Sequence, residues 1–588
     1  MSTVPPPLEG PAPEVVRGAK YILHLVVDDL GWADGWGSEH TNTPVMDALA
    51  DGGIQLNRMY ATPMCAPSRS AMFTGRHPAS LGYYRNPSED ARLPPDCEHL
   101  PSHLKKIGFQ THLVGKWHLP WHSPDQLPSG PLVGFRSFFG YLHWGMDYYT
   151  HEFPPSVHTG PVACRGYDLV NSTRVRNANG KGFTHYVGSP GDKHVGMYAD
   201  QLFATEAMRI MLAHNISQPL YLCVAFQGLH DPYQSPADEV DEMKCVTGDE
   251  HPAQTIGKCR NYTKMVTKLD TLIGNLVDIL KGRGMYSESV ILLHTDNGGA
   301  LAWAKDTRFG GASSNFPLRG GKFGLYDGGL RVLGLIHTPI LRLERRNTTW
   351  DGLMYISDVL KTIVGMANGV DITTFRKKFV DKETKQCSSS DRHCRIDVHN
   401  SKTGNDFPHT FNLWPAIVSG SESPRKEIVL QPLNDYWHGD HCTEAWVYNP
   451  YHPHCGASFL RWPYKLIIGN PGDHRTVSAS LSERFTWRPT CEEEVEEIIT
   501  GAFGTHQARL FNVHEDPGES RNLASTPKGR EILRDMLESL LISSQGFPEP
   551  TLGSDLSPPP EQACEIVRNT GSWRPWEPSS SGDKIVIS

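Results

Sequence analysis

The chain has 588 residues, 38% hydrophobic and 21% charged, a composition that suits a folded globular protein too long for one core. Its 56 basic residues fall short of its 65 acidic ones, and the formal charge of −9 excludes general nucleic-acid binding, since no basic stripe in the sequence offsets the excess. No apolar run reaches the roughly eighteen residues a membrane span requires, so no integral membrane segment is predicted.

Residues 1–17 are Pro-rich and lack an apolar h-region, so they do not read as a signal peptide. The first element is "YILHLVV", Tyr21 to Val27, a continuous apolar β-prone run of the kind buried on both faces of a parallel sheet. Similar runs follow at 219–226 (PLYLCVAF), 289–295 (SVILLHT) and 331–337 (RVLGLIH). Between them lie segments of helical spacing: "TPVMDALADGG", with Gly52 as a stop signal, "YADQLFATEAMRIMLAHN" and "TKMVTKLDTLIGNLVDILKGRG". This alternation predicts an α/β fold over 18–423, a large mostly parallel sheet sandwiched by helices, with function at the C-terminal ends of its strands. From 424 to 545 the character changes. "KEIVLQ", "ASFLRWPYKLIIG" and "ARLFNVHEDPGESRNLA" predict strands of a smaller α+β domain, closed by the helix-like "GREILRDMLESLLIS". The Pro/Ser/Gly-rich tail 546–588 contains Cys564, a candidate for a disulfide back to the body.

Sequons at Asn171, Asn215, Asn261 and Asn347, with twelve cysteines that include the pairs Cys245/Cys259, Cys387/Cys394 and Cys442/Cys455, favour the secretory pathway, lysosomal or extracellular, over cytosol. "HCTEAWVYNPYHPHC", 441–455, has enough His and Cys for zinc, but its spacing fits no tight zinc pattern and a Cys442–Cys455 disulfide is the better reading.

Asp28 and Asp29 follow the first strand directly, and Asp296 and Asn297 follow "SVILLHT". Either pair alone would serve as a cap or turn. Together, at two parallel strand ends, they offer four hard oxygen ligands, the chemistry of Ca²⁺ or Mg²⁺ and not of Zn²⁺. Lys116 and His118 in "VGKWHLP", His230 in "QGLHDPY" and Lys322 in "LRGGKFGLYDGG" stand in strand-to-loop settings, where two lysines, an arginine and two histidines beside a metal would neutralise an oxyanion and supply acid and base.

Cys65-Ala-Pro-Ser-Arg69 with Thr74-Gly75-Arg76 resembles the signature C-x-P-S-R-x-x-x-x-T-G-R of type I sulfatases, complete at each fixed position. The DDLGW, GKWHLP, GLHDPY, TDNGG and RGGKFGLYDGG segments occur in that family's order. "GMDYYTH", "LFNVHEDPGESRNL" and "CEIVRNTGSWRPW" are most similar to its arylsulfatase B-like branch, from about residue 20 to the end. The resemblance implies an alkaline-phosphatase-like fold and conversion of Cys65 to formylglycine by the formylglycine-generating enzyme. It implies one Ca²⁺, in preference to Mg²⁺, bound by Asp28, Asp29, Asp296, Asn297 and an oxygen of residue 65. It places Arg69 and His118 on the aldehyde hydrate, Lys116 and Lys322 on sulfate oxygens and His230 near the leaving oxygen. Pro120 stands where glycine is usual, and Asp327 where this branch tends to carry glutamate. The implied activity is hydrolysis of sulfate monoesters, aryl sulfates or a sulfated hexosamine of a glycosaminoglycan or similar polysaccharide. A phosphodiesterase or phosphonate hydrolase on the same fold, and a non-catalytic binder of sulfated glycans, are the alternatives.

Overall fold

The structure, a computed structural model, describes residues 15–84, 92, 94, 97–154, 164–177, 183–189, 191–239, 253–301, 311–372, 410–432, 456–469, 508–544, 547, 561–575 and 584–587. The main sheet is built from β1 (Tyr21–Val27), β2 (Gly53–Tyr60), β3 (Gln110–Lys116), β4 (Ser137–Tyr141), β5 (Val170–Arg176), β6 (Phe183–Gly188), β7 (Leu220–Ala225), β8 (Ser289–Thr295), β9 (Gly334–His337) and β10 (Thr348–Tyr355). They lie in the order β10-β2-β9-β8-β1-β7-β3-β4-β5-β6, and a tail strand, Lys584–Ile587, completes eleven. The centre, β8-β1-β7-β3-β4, is parallel throughout.

The apolar runs form these central strands because both of their faces are covered. Tyr21, Leu23, Leu25 and Val27 of β1 point into one core, which contains Leu202 and Phe203 of the helix Ala199–Ala213 and Leu269, Leu272, Ile273 and Leu276 of the helix Ala253–Gly282. The latter four recur at helical spacing. Ile22 and Val26 point the other way, into a core shared with Met72 and Phe73 of the helix Cys65–Thr74 and Val359 and Ile363 of the helix Asp358–Asn368. Each such side chain, fully buried, contributes roughly 1.5–3 kcal/mol.

Two stretches read as strands are refined by the structure. "RVLGLIH" forms a strand only from Gly334, and β9 runs antiparallel to both β8 and β2. The chain leaves β8, stays at the same end of the sheet through a Gly-rich loop, and so must descend when it re-enters. "ASFLRWPYKLIIG" is two strands, Gly456–Arg461 and Tyr464–Gly469, hinged at Trp462-Pro463. The tail contributes the helix Glu561–Thr570 and the edge strand beside β6. The expected disulfide is formed, Cys164–Cys564, and the Trp573 indole donates to the Phe153 carbonyl at 3.2 Å. Cys259 is disulfide-bonded, whereas Cys245, Cys387, Cys394, Cys442, Cys455 and the 441–454 histidines lie outside the described residues.

The smaller sheet is antiparallel, in the order Glu427–Gln431, Gly456–Arg461, Tyr464–Gly469 and Ala508–Asn512. One face packs Phe459, Leu466 and Leu510 under Leu533, Met536 and Leu540 of the helix Pro527–Ser544. The other sends Leu460, Ile467 and Phe511 into the main core. Lys465, on the strand Tyr464–Gly469, is fully buried and bridges Asp327 at 2.7 Å and Glu519 at 2.9 Å. Asp327 also accepts from Tyr60 at 2.9 Å. Asp327 is thus an anchor between the main sheet and the smaller one.

Removing the one cation of this network leaves two carboxylates facing each other without water. Lys465→Met should destabilise the protein by about 3–5 kcal/mol, read by chemical denaturation, while Lys465→Arg should retain most of the stability. A loss under about 1 kcal/mol would show that the network carries little of the interdomain stability.

Candidate active site

The C-terminal ends of four adjacent strands converge on one pocket. β1 ends in Asp28 and Asp29, β8 in Asp296 and Asn297, β3 in Lys116 followed by His118, and β7 leads through a short turn to His230. The helix Cys65–Thr74 points its first turn into this pocket, so Cys65 and Arg69 sit one turn apart on the same side. Lys322 enters from the Gly-rich loop.

All nine residues apart from His118 are buried, and their charges interlock. Arg69 donates through Nε to Asp296 Oδ2 at 2.8 Å, pairs with the same oxygen through Nη2 at 2.7 Å, and donates through Nη1 to the Lys116 carbonyl at 3.1 Å. Lys116 Nζ donates to Asp28 Oδ2. Lys322 Nζ lies 2.9 Å from Asp29, whose Oδ1 also accepts from Asn297 Nδ2 at 2.7 Å. His230 Nδ1 donates to the Asp231 carbonyl at 2.8 Å, which leaves Nε2 toward the pocket, 4.0 Å from Asp29 Oδ2. The ligand atoms of Asp28, Cys65 and His230 lie within 4.8 Å of one another. Partly buried His118 stands beside Lys116, and its Nδ1 has no hydrogen-bond partner.

The pocket leaves several oxygens over for a hard cation. Asp28 Oδ1, Asp296 Oδ1 and Asn297 Oδ1 are all buried and, among the described residues, without a hydrogen-bond partner. Three orphaned acceptors from two neighbouring strand ends would each be strongly penalised unless a cation satisfied them. Burial raises the Asp29 carboxyl against the pull of Lys322, and burial together with Asp28 raises Asp296, whereas Asp28, despite its burial, is held well below the usual carboxylate range by Lys116 and the other cations. The donor set therefore fits a divalent oxygen-seeking ion. Burial, then Asp28, pushes the Cys65 thiol up to about 12, which keeps it from acting as a thiolate.

Sequence reasoning found the charged residues but missed the groups that aim them. Asp200 accepts from the Gln227 and Gly228 amides at 2.9 and 3.0 Å, and Tyr148 donates to the Gly228 and His230 carbonyls, fixing the turn that carries His230. Asn315 bonds the Gly299 amide and the Gly299 and Gly320 carbonyls, tying the loop after β8 to the one carrying Lys322. These two loops touch backbone to backbone: a Cβ on Gly298 would lie 1.9 Å from the Gly328 carbonyl oxygen. The glycine-rich composition of both loops was the one signal available. Asp29, His118 and Phe323 adopt left-handed φ of 56°, 52° and 70°, strain concentrated where the side chains must be aimed.

The mostly parallel sheet, whose strand ends meet a helix start and a Gly-rich loop to gather three acids, three cations and a cysteine, matches the alkaline-phosphatase-like architecture of solved sulfatases. Within it the chain belongs to the Sulfatase family, whose model matches residues 20–370, and it is a sulfuric ester hydrolase. It is 28% identical to "Arylsulfatase J" of Mus musculus over 95% of this chain and 80% of that one. It is 29% identical to "N-acetylgalactosamine-6-sulfatase" of Homo sapiens over 54% of this chain and 56% of that one. Among solved structures it resembles the PsFucS1 sulfatase from Pseudoalteromonas sp., at TM-score 0.60 and 19% identity over 91% of this chain and 92% of that one. It also resembles Ps i-CgsB in complex with k-i-k-neocarrahexaose, at TM-score 0.58 and 19% identity over 94% and 98%.

If the orphaned oxygens bind an ion, Ca²⁺ added to chelator-treated protein should raise the thermal midpoint, and the rise should follow ligand concentration. Asp296→Ala should abolish that shift. An unchanged midpoint in saturating Ca²⁺ would contradict the donor-set argument.

Proposed function

We propose that the protein hydrolyses sulfate monoesters through a formylglycine made from Cys65, with Ca²⁺ held by Asp28, Asp29, Asp296 and Asn297 and by an oxygen of residue 65. The observation that carries this reading is the placement of Cys65 at a helix start, its sulfur close to Asp28 and His230 and framed by Lys116, Lys322 and Arg69. A bound Ca²⁺ supplies charge screening for the sulfate oxygens and acidifies a neighbouring hydroxyl. The aldehyde hydrate supplies two hydroxyls, one to attack sulfur and one whose deprotonation expels sulfate.

The chain's own residues do the rest. Arg69, immobilised by Asp296 and the Lys116 carbonyl, orients residue 65. Lys116 and Lys322 take up sulfate oxygens. Three carboxylates are matched by three cations here, so a divalent ion brings the pocket to a net charge of two positive, complementary to a sulfate monoester. His230 offers Nε2 on the leaving-group side, with Lys322 as the other proton donor, and His118 accepts the proton of the remaining hydroxyl.

For substrate, the name N-acetylgalactosamine-6-sulfatase and a neighbour in complex with k-i-k-neocarrahexaose support a sulfated hexosamine or related sugar of a polysaccharide. For compartment, the Cys164–Cys564 disulfide and exposed sequon asparagines Asn171, Asn215 and Asn347 support a lysosomal or extracellular route, where the formylglycine-generating enzyme would be met during synthesis. Asn261 fits less well, because its amide already donates to the Tyr233 carbonyl at 2.7 Å. Among the described residues, no helix is long and apolar enough to cross a membrane.

Mass spectrometry of the tryptic peptide Met59–Arg69, from a host with the converting machinery, should find an aldehyde at position 65. An unmodified thiol would leave a sulfated-glycan binder in its place. Cys65→Ala should lower turnover of an aryl sulfate by at least about a thousandfold with the fold retained, and Lys322→Ala should act chiefly on kcat. Paired sulfate and phosphate esters of one aryl alcohol decide the reaction class, with sulfate expected to be the faster by far.

A further inference from the structure

Far from the active site, a cleft of about 320 Å³ opens between the short helix Leu100–Lys106, the start of β4 and the end of β5. Lys105, Arg136, Arg174 and Arg176 line it, and no carboxylate does among the described residues. The cations come from three separate segments, yet they are near neighbours: the Arg174 amide donates to the Arg136 carbonyl at 3.2 Å, and Arg176 follows two residues on along the same strand face. Among the described residues, Lys105, Arg136 and Arg176 form no ion pair, and Arg136 donates instead to the neutral Gln110 side chain at 2.6 Å.

Like charges on adjacent strands repel, and a folded chain that carries more acids than bases has ample means to neutralise them. Here none lines the cleft. Phe183 pairs with Arg176 across β5 and β6, and carries the Arg174 guanidinium over its ring at 3.9 Å and the Lys105 ammonium at 5.5 Å. The ring holds two of the cations in place before any ligand arrives, which lowers the ordering entropy of binding. Burial, then Arg174 and Arg176, makes the Lys105 ammonium easier to deprotonate, as expected of a site short of an anion.

We propose that this cleft is a second, non-catalytic site for a sulfated polysaccharide chain. The cations are spread along a groove beside aromatic surface, which suits a linear polyanion with sugar faces better than one compact anion. The cleft lies at the N-terminal edge of β4, about 17 Å of strand away from the Tyr141 end that faces the pocket. It therefore anchors the enzyme on a polymer without competing for the ester being cleaved. This inference rests on the reading of the substrate as a sulfated polysaccharide.

The test is binding of the full chain to immobilised chondroitin sulfate, with the desulfated polymer as control, alongside turnover of a small aryl sulfate. The double variant Arg174→Ala/Arg176→Ala should weaken polymer binding by about tenfold and flatten its salt dependence, because fewer counterions are released. Aryl sulfate turnover should stay within about twofold of the wild type, which also reports that the variant is folded. Arg136→Ala should give a smaller loss in the same direction. Equal binding by wild type and double variant, equal binding to the desulfated polymer, or binding to anionic lipid vesicles with none to the polysaccharide would each overturn the proposal. Polymer binding that depends on Arg174 and Arg176 in a wild type that turns over no sulfate ester would sink the catalytic reading and leave the cleft standing.

Discussion

The structure depends most on a charge balance among buried groups. Three carboxylates, Asp28, Asp29 and Asp296, are removed from water at the ends of two neighbouring strands, and three cations from elsewhere in the chain neutralise them. An uncompensated charge in such a place costs several kcal/mol, so no one of these groups can be positioned independently of the others. This couples segments that are remote in sequence: the helix carrying Arg69, the end of β3 and the Lys322 loop must all be in place before the ends of β1 and β8 are stable. The same balance makes the pocket receptive. Lys116 and Arg69 are held by Asp28 and Asp296, each of which keeps one oxygen to offer a metal, so structural cohesion and anion binding draw on one set of residues.

How much of this was legible in the sequence follows from which signals are local. β1, β7 and β8 could be read because a strand covered on both faces is apolar without interruption, and every residue of the three is buried. β2 was not read: "GIQLNRMY" interleaves Gln55, Asn57 and Arg58 with its apolar residues, as a strand near the edge of the sheet can. β5 and β6 are poorer still in apolar residues, and only pairing across the sheet defines them. The residues proposed to act in the pocket could be picked out because each stands in a short motif that follows a strand, starts a helix or lies in a Gly-rich loop. Asp200, Tyr148 and Asn315 were not, since a single buried hydrogen-bonding side chain has no period and no fixed spacing from the backbone it holds.

The small C-terminal domain belongs to the foundation of the site. Glu519, itself left-handed at φ 48°, accepts the Asp327 amide at 2.6 Å through its carboxylate, and its carbonyl accepts Arg319 at 2.7 Å. Arg319 and Asp327 are the two ends of the loop that bears Lys322 and the strained Phe323. A left-handed non-glycine residue costs on the order of 1 kcal/mol and persists only where its surroundings over-determine it. Glu519 and Lys465 supply that determination from outside the main sheet, which is why "LFNVHEDPGESRNL", with no residue in the pocket, still bears on what the pocket can do.

The formal charge of −9 is a poor guide to how this protein meets anions. At physiological ionic strength the Debye length is about 8 Å, so charges farther away than that are largely hidden from a ligand and only the local field counts. The pocket becomes positive once a divalent ion joins its balanced charges, and the cleft beside Phe183 gathers Lys105, Arg136, Arg174 and Arg176 with no carboxylate among its described lining residues. Neither feature is visible as a basic stripe, because each is assembled from short segments scattered along the chain. The negative remainder has its own physical effect: it disfavours diffuse adsorption to polyanions, so that an anionic polymer is held only where cations have been gathered by the fold.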